Sequence, residues 1–133
     1  MNRKQLFLTT AVLEAATGLS LLLLPGLVVA VLLGSEQAST EALVIDRVAG
    51  AAVLAIGIAS WMSSDDVPTA SQGGLLAGLL VYNAAVSMLL AYAGAALGTT
   101  GALLWPTVAL HAMLAIWCVG CLRLGGVAAR PVG

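Results

Sequence analysis

Residues Leu6 to Leu24 read LFLTTAVLEAATGLSLLLL, an apolar run interrupted by one acid, Glu14. As a helix rising about 1.5 Å per residue, the run puts that acid roughly 12 Å from its start, well inside a hydrocarbon layer about 30 Å thick. On insertion scales a charged side chain at that depth costs about 2.5 to 3.5 kcal/mol, so Glu14 is expected to face protein or a water-filled cavity. The reading of the chain therefore turns on which other polar groups lie at similar depth.

Composition sets the class. Hydrophobic residues make up 61% of the 133, charged residues 8%, and the mean hydropathy is +1.07, far from the balance of a soluble domain. An all-α integral membrane protein is expected, with length for one bundle. The net charge of -1 comes with no basic patch, which argues against nucleic acid as a partner and leaves the lipid bilayer as the certain one.

Asn2, Arg3 and Lys4 resemble the start of a signal peptide, but Glu14 interrupts the apolar region and the run continues too far for one. Four spanning helices are expected, over about 5–33, 41–62, 73–93 and 102–124, in a single domain. The first is kinked or ended near Pro25 and Gly26, with Leu27 to Leu33 either continuing it at a tilt or packing at the interface. Ser39 and Thr40 are candidate N-caps, with Glu41 in the first turn that follows. The polar loop SSDDVPTASQ, the glycine-rich turn GAALGTTG and a mobile tail, GGVAARPVG, complete the chain.

Arg3 and Lys4 precede the first span, Arg123 and Arg130 follow the last, and the first connector carries only acids. The positive-inside rule then puts both termini in the cytoplasm, with Trp61 and Trp105 as interfacial anchors at opposite ends of their helices. Counted from the cytoplasmic ends, Asn83 lies about 15 Å deep, His111 about 20 Å and Arg47 about 22 Å. Each of the four spans thus carries a strong polar group within the hydrocarbon. Gathering these groups inside the bundle removes most of the cost of leaving them among acyl chains.

The helical faces permit this. Arg47, Gly50, Leu54, Gly57 and Trp61 form one stripe, Glu14 and Gly18 share a face, and His111, Ala115 and Cys118 stack. Gly74, Gly78 and Tyr82 form a face from which Asn83 points about 100° away, so one of these faces is expected to meet the bundle and the other a second subunit. The candidate ligand-binding or proton-relay residues are Glu14, Arg47, Asn83, His111 and Tyr82. Each also has a purely structural reading. Glu14 and Arg47 are read equally as an ion pair, and desolvation and a neighbouring cation act on a buried carboxyl in opposite senses. Tyr82 and Asn83 are read as interhelical hydrogen-bonding groups, Asp46 as an interfacial residue, and His111 as either a ligand contact or a packed polar group.

Trp117-Cys118-Val119-Gly120-Cys121 has the CxxC spacing of thiol redox motifs. No βαβ unit surrounds it, its expected position is at the reducing cytoplasmic end, and no further cysteine exists to pass electrons on. One histidine and two cysteines also fall short of a metal set, so packing is the expected role and no metal is expected. No catalytic pattern such as HExxH or GxSxG occurs, and nothing in the sequence supports an enzyme.

Two resemblances follow from these residues. The acid-bearing first helix, LLPGLVVAVLLG from Leu23 to Gly34, and RVAGAA from Arg47 to Ala52 resemble the DoxX-like group of small four-helix bacterial membrane proteins. That resemblance implies a multi-pass protein of the bacterial inner membrane, and some members of the group accompany redox proteins. AVLEAATG, Ala11 to Gly18, is locally similar to the first helix of the small multidrug resistance family, which implies proton-coupled export by a dimer. The later helices do not follow that second pattern, and Arg47 and His111 are additions to it. The expected function is a mid-membrane polar pocket for a small or amphipathic molecule, with a quinone or lipid as candidate occupant. The alternatives are a dimeric proton-coupled transporter and an accessory subunit of a larger membrane complex.

Overall fold

The computed structural model describes residues 2–35, 39–64 and 70–128. It is all-helical: α1 (Arg3–Leu23), α2 (Pro25–Leu33), α3 (Thr40–Met62), α4 (Ala70–Ala96) and α5 (Leu104–Ala128). Of these, α1, α3, α4 and α5 are long and apolar enough to cross a membrane. One residue on each, Val12, Val48, Val81 and Ile116, is 63, 66, 69 and 69% exposed respectively. An outer surface so apolar suits acyl chains rather than water.

The expected first helix is two. Proline lacks the N–H that would bond to the fourth carbonyl back, and its ring drives the preceding residue out of the α region. Accordingly Leu24 sits at φ -134, ψ 51, and Pro25 becomes the first residue of a new helix. Gly34, at φ 74, closes α2 in the left-handed conformation. With nine residues, α2 is too short to span. It lies against the start of α5, where the Leu103 N–H donates to the Val31 carbonyl at 3.1 Å.

Of the two expected caps Ser39 serves, accepting from the Ala42 N–H at the start of α3, and Thr40 is the first helical residue; Asn2, not singled out in the sequence, caps α1 by accepting from the Lys4 N–H. The helices α4 and α5 run to Ala96 and Ala128, further than the expected 93 and 124, and α4 starts at Ala70 rather than 73. The glycines taken as boundaries are absorbed, because a helical glycine costs only about 1 kcal/mol and hydrocarbon penalises an unpaired backbone far more. The expected mobility of the tail concerns, beyond Ala128, residues 129–133, which lie outside the described residues, as do Glu36, Asp65, Asp66, Pro68 and Arg130.

Two antiparallel pairs build the bundle, α1 with α3 and α4 with α5. In the first, the backbones nearly touch. A Cβ on Gly18 would lie 2.7 Å from the Gly50 carbonyl oxygen, and one on Gly50 would lie 2.9 Å from that of Gly18. Lower down, Gly57 meets the Ala15 backbone in the same way. The pairs join at the end that holds the start of α1, where Leu6 and Phe7 pack with Leu76, Leu79, Leu114, Cys118 and Cys121. There Arg3 Nη2 donates to the Cys121 carbonyl at 3.1 Å, so the start of α1 and the last turns of α5 share one end of the bundle.

The close α1–α3 contact predicts that Gly50→Val lowers stability by about 1 to 3 kcal/mol or more through overpacking. Nothing lies within 4 Å of a Cβ on Gly78, so Gly78→Ala is expected to be neutral or to gain up to about 1 kcal/mol. SDS titration in mixed micelles followed by circular dichroism measures both. Equal losses for the two variants would contradict the packing described.

Candidate functional site

The polar groups of α1, α4 and α5 converge midway along the bundle. Glu14, 2% exposed, accepts at Oε2 from the Tyr82 hydroxyl at 2.9 Å. The next residue, Asn83, is fully buried and donates from Nδ2 to the Leu79 carbonyl, one turn back on its own helix, at 2.8 Å. Its Oδ1 meets His111 Nδ1 at 2.8 Å. The Tyr82 and His111 rings stand edge to face, centroids 5.7 Å apart and planes at 81°.

Helix phase explains how α4 serves both neighbours. Tyr82 and Asn83 diverge by about 100°, and α4 presents the first to α1 and the second to α5. Both faces therefore turn inward at this level, and neither of these two side chains is left for a second subunit. Hydrogen-bonded polar side chains between membrane helices are favoured because the alternative is an unpaired polar group in hydrocarbon.

Arg47 stands apart from this group. Its side chain is exposed, and the Glu14 carboxyl is held by a phenol rather than a guanidinium. The stripe that Arg47 heads does pack on α1 through Gly50, Leu54 and Gly57. On α1 that contact runs to Leu21 and Leu22, at the last turn of the helix; beyond it α2 meets α3 through Gly26 and Leu43, and the Arg47 side chain is left exposed. Asp46 is half-buried. Trp61 and Trp105 are exposed near opposite ends of their helices, as interfacial rings would be. Cys118 and Cys121 are free thiols within the core at the Arg3 end. Among the described residues no three His, Cys, Asp or Glu side chains gather to hold a metal ion.

Above the polar cluster α1 and α5 part, and a cleft of about 380 Å³ opens between them and α2. Glu14 and His111 line it, together with leucines of all three helices and Val28 and Val31 of α2. The α1 wall is the stripe Leu13, Thr17, Ser20 and Leu24; the α5 wall is Leu103, Thr107, Leu110 and Leu114. Each repeats at spacings of four, three and four, one face of a helix. Thr17, Ser20 and Thr107 were not singled out by the sequence. Their only signal is that they share a stripe with leucines, the same pattern that ordinary bundle packing gives.

The arrangement sets two ionisable side chains, Glu14 and His111, on the wall of an otherwise largely apolar cleft. No known protein family, curated protein or solved structure matches this chain.

Coupling between Asn83 and His111, from a double-mutant cycle with alanine at each, is expected at about 0.6 kcal/mol and at most about 1.7, the range of hydrogen bonds between membrane helices. Arg47→Gln is expected to change stability by no more than about 0.5 kcal/mol, as for an exposed side chain. A loss of about 3 to 5 kcal/mol, the cost of breaking a buried ion pair, would show instead that Arg47 compensates Glu14.

Proposed function

We propose that the cleft between α1, α2 and α5 binds a small amphipathic molecule, with its tail along the leucines and valines and its polar end at Glu14 and His111. The observation that carries this reading is the meeting of two ionisable side chains from different helices on the wall of one apolar cleft. Ligand sites commonly have this make-up, mostly apolar with a few convergent polar groups, and ionisable residues within membrane helices commonly mark such sites. A lipid or a quinone is the candidate occupant.

The protein is proposed to lie in a bacterial inner membrane with both termini in the cytoplasm. Arg3, Lys4 and Arg123 at the shared end of α1 and α5 support that orientation through the positive-inside rule. The likeness of LLPGLVVAVLLG and RVAGAA to the DoxX-like group supports the location and stays a proposal of kinship.

One feature favours the second reading, a dimeric proton-coupled transporter. Gly74 and Gly78 on α4 have open space where a Cβ would be, and small residues at that spacing suit close approach of another membrane helix. Substrate-driven pH change in proteoliposomes, lost in Glu14→Gln, would establish transport. A role as an accessory subunit would show as a fixed partner on purification.

The binding reading predicts that a diazirine-bearing fatty alcohol, photolysed with the protein in nanodiscs, labels peptides of α1, α2 or α5 at the cleft. Ser20→Trp, which fills the cleft, is expected to reduce that labelling at least about fivefold, and Val81→Trp on the outer face of α4 to leave it unchanged. Equal labelling in both variants, or labelling spread evenly over all helices, would rule out the cleft as a site.

A further inference from the structure

The hydrogen bonds around His111 determine what kind of polar end the cleft can accept. The Leu79 carbonyl can only accept, so the Asn83 atom beside it is the amide nitrogen, and Oδ1 must be the atom facing His111. An amide oxygen also only accepts. The His111 nitrogen that meets it, Nδ1, therefore carries a proton.

His111 is 9% exposed, and its side-chain partner is an uncharged carboxamide, the setting of a neutral imidazole. A neutral ring with its proton on Nδ1 has a bare lone pair on Nε2. Because Nδ1 is engaged, Nε2 is the nitrogen left for a molecule in the cleft that His111 lines. Ser20, on the facing wall, points the same way chemically: its hydroxyl proton is spent on the Ala16 carbonyl at 2.8 Å, which leaves lone pairs. Glu14 is already engaged at Oε2 by the Tyr82 hydroxyl, so the selection rests on His111.

We infer that the His111 end of the cleft selects a polar end that donates a hydrogen bond, an O–H or N–H group, and disfavours there one that only accepts, such as a ketone or quinone carbonyl. This rests on the binding reading above and narrows it: of the two candidate occupants, an oxidised quinone fits poorly against His111, whereas a hydroxylated or amine-bearing amphipath fits. A carbonyl oxygen placed against Nε2 would set lone pair against lone pair, so a group that only accepts has to turn away from His111 to the Thr17 and Thr107 hydroxyls, the donors elsewhere on the cleft walls.

Two measurements on the full chain in nanodiscs test the inference. His111 is the one histidine of the sequence, so ¹⁵N-histidine labelling reports it without assignment. The expected spectrum has a protonated Nδ1 and an unprotonated Nε2, and 1-dodecanol is expected to shift the Nε2 resonance. A proton on Nε2 in the free protein would overturn the inference whatever binds. The second measurement compares probes of similar tail, 1-dodecanol, dodecylamine and 2-tridecanone, by thermal shift. The alcohol, the amine or both are expected to bind at least about tenfold more tightly than the ketone, a ratio worth about 1.4 kcal/mol. The two donor arms separate a hydroxyl from an ammonium preference. Asn83→Leu, which removes the partner that fixes the tautomer, is expected to shrink the ratio. Equal binding of all three probes, or tighter binding of the ketone, would overturn the selection and leave the cleft as a binding site. Binding of none of them would remove both.

Discussion

A carboxyl group halfway along an apolar helix must find a hydrogen-bond partner inside the protein, and here the Tyr82 hydroxyl supplies it. That bond crosses between the two halves of the bundle. Backbone-close glycines hold α1 to α3, and α4 packs on α5, so each pair is coherent by itself. What ties the pairs together is the small core around Phe7 and Leu79, the Arg3 contact at its foot, and the polar group above it. Tyr82 and Asn83, adjacent in sequence, let one turn of α4 reach α1 and α5 at once.

The contact between Arg3 and Cys121 also sets the level at which the polar residues meet. Counting from it at about 1.5 Å per residue, Glu14 lies roughly 16 Å up α1 and His111 roughly 15 Å up α5, nearly the same height. Counting from expected helix ends separates the two by about 8 Å. The discrepancy arises about equally on the two helices: the expected end of the last span, 124, lies three residues past Cys121, and the count on α1 began three residues after Arg3. Depth read from helix termini is reliable only when the termini are level, and a side-chain contact is a better common mark.

Much of this was legible in the sequence for physical reasons. The cost of polar groups in hydrocarbon pointed to Glu14 and His111 as inward-facing and to one of Tyr82 and Asn83, the other being expected to meet a second subunit; the structure turns both of that pair inward. The glycine stripe of α3 was legible too, since close approach needs small residues at helical spacing. Arg47 was misplaced because helix phase says which face a residue occupies but not how far the neighbouring helix extends. Pro25 carried that information, and its two readings, a kink or an end, have opposite consequences for Arg47. The cleft was not legible at all. Its walls are leucines, valines and isolated hydroxyls at the spacing of any packed helix, and a sequence does not record that two such faces stand apart.

The break at Leu24 links these observations. Because Pro25 cannot continue the hydrogen-bond ladder, α1 stops after Leu23, and the chain leaves as a separate helix that settles against the start of α5 through Val31 and Leu103. On the α3 side α2 meets Leu43 through Gly26, and the Arg47 side chain one turn on is left exposed. On the α5 side it creates a third wall, so that the space above Glu14 and His111 is bounded by α2 as well as by the two long helices. The missing N–H of one proline thus accounts both for the exclusion of Arg47 from the polar group and for the enclosure of the cleft over it. It also keeps that group free of a fixed cation: with the guanidinium outside, the Glu14 carboxyl is left to a neutral phenol.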